Sequence, residues 1–142
     1  MSIFEASNSP WTNRMLSIFR IIAGLIFMSA GTTIVFGYPH NPMPGMPPFD
    51  PTSQIGVGGM LEMVGGLAIV LGVLTRPFAF LLAGEMAVAY FQFHAPRSFF
   101  PTLNEGVAAV LYCFFFLYLT LAGAGTWSLD AMIARSRSGN PS

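Results

Sequence analysis

Four apolar blocks, each close to the length of a membrane-crossing helix, dominate a chain of only 142 residues. They run Met15–Phe36, Ile55–Leu74, Phe78–Phe93 and Val107–Ala122. A helix needs about 20 mostly apolar residues to cross the hydrocarbon core, and the third block, the shortest with the fourth, extends through His94 at a polar interface. A soluble protein this short has too little interior to hide such blocks. Charged residues are only 8% of the chain, against roughly 25% in an ordinary soluble domain. The expected solvent is therefore a bilayer. Lipid gives the backbone no hydrogen-bond partners, so each block must pair its own groups as a helix. The expected fold is all-α: an integral membrane four-helix bundle over residues 15–122, with a segment 1–14 before it and a tail 123–142 after it.

The joints are unequal. Gly72-Val73-Leu74-Thr75-Arg76-Pro77 reads as a tight turn, with Pro77 suited to opening the next helix. Gly37–Ser53 carries Pro39, Pro42, Pro44, Pro47, Pro48 and Pro51, which excludes regular helix or sheet and implies an extended cap over one membrane face. The third joint, His94–Asn104, holds Pro96 and Pro101 around Phe99-Phe100. Arg14 before an apolar run and the small residues Ser29-Ala30-Gly31 also occur in secretory signals, but this run continues through Ile34-Val35-Phe36, so an uncleaved first span is expected.

Arginine placement predicts an orientation. With four crossings, Arg14, Arg20, Arg76, Arg135 and Arg137 share one side and Arg97 alone marks the other. Positive residues concentrate on the cytoplasmic side, so both termini are expected in the cytoplasm of a bacterial inner membrane. Trp11 and Trp127 fall at that same interface, where indoles prefer to sit.

Several chemistries are excluded. The chain has zero net charge and no lysine, so it lacks the clustered cations of a nucleic-acid footprint. Cys113 is the single cysteine, which rules out an intramolecular disulfide and a Cys-x-x-Cys redox pair. His40, Met43 and Met46 have a soft-ligand spacing suited to Cu(I), but no second such cluster supports it and no metal site is expected. The aromatic run Tyr112, Phe114, Phe115, Phe116 and Tyr118 surrounds the fourth helix and reads as packing and lipid-facing surface.

Glu62 and Glu85 lie inside the second and third blocks. An ionisable group at that depth costs several kcal/mol unless protonated, paired or hydrated, which makes each a candidate functional residue. At about 1.5 Å per residue from Arg76, Glu85 is roughly 13 Å and Glu62 roughly 21 Å from the inner turn. Gly58, Gly59, Gly65 and Gly66 flank Glu62 at helical spacing, and Arg20, Gly24 and Gly31 share a stripe on the first helix; such small faces let helices approach closely. Arg20 is the expected counter-charge, its long stem either snorkelling toward the cytoplasm or reaching up to Glu85, and Gln92 shares a face with Glu85 two turns further on. Arg20, Glu62, Glu85 and Gln92 thus form a candidate intramembrane polar core, either a structural lock or a proton relay. Tyr90, His94 and Arg97, at i, i+4 and i+7, join Glu105 as a candidate outer-mouth site for a quinone carbonyl or an anion. An interfacial anchor for the helix ends is the alternative.

These residues resemble the DoxX family. The resemblance is carried by Arg20-Ile-Ile-Ala-Gly-Leu-Ile-Phe with Gly31-Thr-Thr-Ile-Val-Phe-Gly, and by Gly59-Met-Leu-Glu62-Met-Val-Gly-Gly-Leu running on to Gly72-Val-Leu-Thr-Arg-Pro. Gly84-Glu-Met-Ala-Val-Ala-Tyr-Phe, His94-Ala-Pro-Arg-Ser-Phe-Phe-Pro and Asn104-Glu-Gly extend it, so that it covers about Arg14 to Asp130. The chain departs from the family's first-helix pattern at Ala30 and Ile34, where the family usually has histidine and lysine. The resemblance implies a bacterial four-helix inner-membrane protein. The family is named for a small subunit of a thiosulfate:quinone oxidoreductase, and some members are linked to oxidative-stress complexes.

Three functions follow as expectations. The first is a membrane subunit or scaffold, not an enzyme on its own, that holds redox or stress-response proteins; apart from the bilayer, a protein partner or a homo-oligomer is the expected company of the chain. The second is a quinone-interacting oxidoreductase subunit in which Glu85 and Glu62 relay protons; no cofactor is evident in the chain, and quinone is the one the reading admits. The third is transport of protons or a small solute.

Overall fold

The computed structural model describes residues 9–40 and 45–139. Among these the chain is all-helical, with no strand: α1 Pro10–Phe36, α2 Gln54–Leu71, α3 Thr75–Ala89 running on into a π-helical turn Tyr90–His94, α4 Val107–Ala122 and α5 Leu129–Ser138. α1 and α2 are long and apolar enough to cross a membrane. The chain divides into two units, one holding α1, α2 and α5 and the other, Arg76–Gly123, holding α3 and α4.

Helix α1 starts before its apolar block. Ser9 takes the N-cap, its Oγ accepting from Trp11 N–H at 3.3 Å, and Pro10 opens the helix. Pro costs nothing there, because the first N–H groups have no intrahelical acceptor. The segment read as preceding the first helix is therefore helical from Pro10, and the Arg14 guanidinium lies 5.0 Å over the Trp11 ring. At the other end Gly37, at φ 65°, donates its N–H to the Thr33 carbonyl.

Helix α2 ends earlier than its apolar block, at Leu71, because Gly72 adopts the left-handed region at φ 65° and Leu74 follows it at φ 46°. Val73 and Leu74 belong to the turn. Its N-terminus is capped by Ser53, whose Oγ accepts from Gly56 N–H at 3.0 Å. Before it, the Asp50 carboxylate accepts from Thr52 N–H at 2.8 Å and from Thr52 Oγ1 at 2.7 Å. No helix or strand forms over 37–40 or 45–53, as the proline density predicts; Pro42, Met43 and Pro44 lie outside the described residues.

Helices α1 and α2 pack antiparallel through glycine. A methyl group on Gly31 would stand 2.6 Å from the Gly59 carbonyl oxygen and 2.9 Å from the Glu62 backbone carbon. One on Gly66 would meet Met28 Cα at 2.8 Å, and one on Gly24 would meet Val70 Cγ2 at 2.9 Å. Gly24 and Gly31, like Gly59 and Gly66, are two helical turns apart, so each pair lines one face. Gly65 is buried as well and Gly58 half-buried.

In the other unit, α3 carries Pro77 in its first turn, where the missing N–H is harmless. The ladder then widens by one residue, the Ala95 N–H reaching the Tyr90 carbonyl at 2.8 Å. α4 spans the residues expected of it, Val107–Ala122. A methyl on Gly106 would lie 2.8 Å from the Tyr90 ring, and one on Gly123 would lie 3.6 Å from the Arg76 guanidinium. α3 and α4 are thus an antiparallel hairpin. On α4, Phe116 is fully buried while Phe114 and Tyr118 are exposed.

The segment read as a tail contains α5, capped by Ser128, whose Oγ accepts from Ala131 N–H at 3.1 Å. No apolar block marks it, because it is short and carries polar residues on most of its faces.

Candidate functional site

Arg20 is fully buried although it lies on a transmembrane-length helix. Its Nε donates to the Ala124 carbonyl at 2.8 Å, one terminal nitrogen to the carbonyls of Ile69 and of Val70, the latter at 2.7 Å, and the other to the Trp127 carbonyl at 2.6 Å. A guanidinium has donors in a rigid planar fork and no acceptor. Here the fork gathers carbonyls from the end of α2 and the 124–127 loop, among them that of Ile69, which also accepts the Gly72 N–H at 3.2 Å. Gly72 makes room for it: a Cβ there would lie 3.1 Å from Arg20 Cζ. Ser17 supports the same loop, accepting from Trp127 N–H at 3.1 Å while donating to the Asn13 carbonyl at 2.9 Å.

The donors of Arg20 thus go to backbone carbonyls. The carbonyls it binds on α2 lie seven and eight residues beyond Glu62, about 10 Å further along the helix axis. Glu62 is half-buried, and its Oε2 is buried and accepts no hydrogen bond. Glu85 is half-buried on α3, whereas Gln92 is exposed in the π-helical turn. That turn also shifts the register that would have set Gln92 on the Glu85 face.

The outer-mouth residues do come together, around a residue that the spacing argument missed. Asn104 is buried: its side-chain nitrogen donates to the Ser98 carbonyl at 2.6 Å and faces Tyr90 Oη at 3.4 Å, while its Oδ1 accepts from Gly106 N–H at 2.7 Å. Tyr90 is buried and donates to the Phe99 carbonyl. His94 stacks on Tyr90 with ring centroids 6.4 Å apart, and its Nδ1 lies 2.9 Å from the Asn104 carbonyl. A carbonyl only accepts, so Nδ1 carries the proton and the Nε2 lone pair is the acceptor of the neutral ring. Arg97 and Glu105 form an exposed ion pair at 3.3 Å, with Glu105 at φ 61°. The signal for Asn104 was local: an Asn two residues before a glycine, in a loop between helices, is a natural side-chain-to-backbone turn.

The other missed residue is Asp130. Its carboxylate accepts from Leu74 N–H at 2.8 Å and Thr75 N–H at 2.9 Å, and its own N–H donates to the Gly72 carbonyl at 2.8 Å. Of the soft-ligand trio, Met43 lies outside the described residues.

An all-helical chain with two helices of membrane-crossing length, packed through glycine, defines the class. Residues 15–95 match the DoxX family. The chain is 38% identical over 119 residues to an uncharacterized protein of Haemophilus influenzae, covering 81% of this chain and 87% of that one. It is 30% identical over 124 residues to the inner membrane protein YqjF of Escherichia coli, covering 80% and 88%. No solved structure matches it. The chain belongs to the DoxX family.

Proposed function

We propose that this protein is a multi-pass inner-membrane subunit with four crossings and both termini in the cytoplasm, holding a redox or stress-response partner at the membrane rather than catalysing a reaction by itself. The observation that carries this reading is the engagement of Arg20. The polar group most costly to bury has its donors on backbone carbonyls that hold the fold, which is the chemistry of a scaffold. The Tyr90–Asn104 cluster closes on its own backbone in the same manner. The arginine asymmetry supports the orientation, and the relative in Escherichia coli named an inner membrane protein supports the location. Purification in mild detergent is expected to recover a stoichiometric partner; a monomer or homo-oligomer free of other chains would refute the scaffold.

One observation favours a second reading, participation in quinone chemistry. Glu62 Oε2 is buried without a hydrogen bond, and an ionisable group so placed in a membrane helix is a candidate proton-relay residue. His94, with its Nε2 lone pair, and the Arg97–Glu105 pair would then receive the quinone. Quinone titration should raise thermal stability if this reading holds, and Glu62→Gln should lower any coupled turnover. Unchanged stability across the titration would eliminate it.

A further inference from the structure

We infer that α5 is a membrane-surface helix, its apolar face entering the acyl boundary of an anionic lipid leaflet. The inference rests on the membrane reading above. Leu129, Met132 and Ile133 stand at i, i+3 and i+4, hence on one face, and are 38%, 61% and 46% exposed. Asp130 points elsewhere, to the N–H groups of Leu74 and Thr75. The helix is thus held to the α2–α3 turn by a polar side while the described residues leave its apolar side partly open. Trp127, exposed just before the helix, adds an indole of the kind that settles at headgroup level.

Position and charge identify the occupant. The Asp130 N–H on the Gly72 carbonyl sets the start of α5 at the turn that ends α2, the level at which hydrocarbon gives way to headgroups. The only acid of α5 is taken up by backbone amides, so what the helix presents outward is cationic: Arg135 and Arg137, both exposed. Arg135 is already aimed along the surface, donating to the Thr126 carbonyl at 2.8 Å. An apolar face flanked by arginines is complementary to an anionic leaflet.

The full chain in lipid nanodiscs tests this. In a Cys113→Ser background, a nitroxide is placed through Met132→Cys, and in a second sample through Leu67→Cys, an exposed position of α2. In discs containing phosphatidylglycerol, the label at 132 should be open to lipid-dissolved oxygen and shielded from a water-soluble nickel chelate. Each arginine near an anionic surface contributes roughly a fivefold preference, so Arg135→Gln with Arg137→Gln should lower the ratio of seated to detached helix about thirtyfold. The inference is overturned if the label at 132 is open to the chelate while that at 67 is in lipid. It is also overturned if shielding is equal in phosphatidylcholine discs and indifferent to the arginines, or vanishes at one copy per disc, which would assign the face to a protein partner or a second copy. A label at 67 that is open to the chelate would instead sink the membrane reading itself.

Discussion

Arg20 and Asp130 cap opposite sides of the same turn: Arg20 takes the Ile69 and Val70 carbonyls that close α2, and Asp130 takes the Leu74 and Thr75 amides that open α3. Each sits where the helix dipole wants its charge, the cation at a C-terminus and the anion at an N-terminus. The two charges also attract one another. A turn of this kind would otherwise leave unpaired backbone groups at the edge of an apolar medium, where each is costly.

Replacing Arg20 should therefore be among the most damaging single changes in the chain. Arg20→Ala takes the donor from the Val70, Ala124 and Trp127 carbonyls and should cost about 3–5 kcal/mol, at about 1–3 for each acceptor left unsatisfied. Arg20→Lys should recover less than half of that, because an ammonium cannot span carbonyls arranged around a planar fork. Denaturation of the purified protein in detergent, followed by circular dichroism, measures both. Equal stability of Arg20→Lys and wild type would contradict the account.

The glycine face makes a paired prediction. Gly31→Ala places a methyl 2.6 Å from the Gly59 carbonyl oxygen, and the atoms it meets are backbone. α1 and α2 must separate, at about 1–3 kcal/mol. Gly84→Ala on α3 meets nothing within 4 Å and should be neutral or stabilising by up to about 1 kcal/mol, the helix preference of alanine over glycine. Thermal unfolding of the two variants side by side checks the sign of each.

The apolar blocks made α1, α2, α3 and α4 legible in the sequence, and α4 matched its block at both ends, because hydropathy reports what lipid or a core will accept. Helix ends were less legible. Ser9 extends α1 past its block and Gly72 cuts α2 short, since caps are set by one side chain or one backbone angle rather than by composition. Gly24, Gly31, Gly59 and Gly66 were readable as a close-packing face because their two-turn spacing is independent of what they contact. The partner of Arg20 was not readable. Charge alone suggested a carboxylate, Glu85, whereas the donors of Arg20 go to backbone carbonyls, which every residue carries and no sequence marks. α5 and Asp130 were missed for a related reason: a short amphipathic helix has no run long enough to stand out.

Asp50 gives a pH prediction. Hydrogen bonds from the Thr52 hydroxyl and amide hold its carboxyl below the ordinary value of 3.8. A carboxylate with a depressed pKa contributes stability that is fully present above its unfolded pKa and is lost as pH falls through its folded one. The turn before α2 should therefore hold at neutral pH and loosen only below the ordinary carboxylate range. Hydrogen exchange of the Thr52 amide should show protection decaying there, while Asp50→Asn should flatten that acid limb. The effect is local, because Asp50 is exposed to solvent.

Asn104 separates a group that holds the 95–106 loop from its charged neighbours. Asn104→Ala removes the donor to the Ser98 carbonyl and one acceptor of Gly106 N–H, and losing these two hydrogen bonds should cost about 1–3 kcal/mol. The His94 ring keeps its partner, the backbone carbonyl of residue 104, but loses order as the loop carrying that carbonyl loosens. Arg97→Gln breaks an ion pair whose side chains are 66% and 85% exposed, where such a pair contributes about 0–1 kcal/mol. Limited proteolysis should thus cut the loop readily in Asn104→Ala and at the wild-type rate in Arg97→Gln. If both variants are cut alike, the loop is held by its surface charges, and the buried network around Tyr90 is not what fixes it.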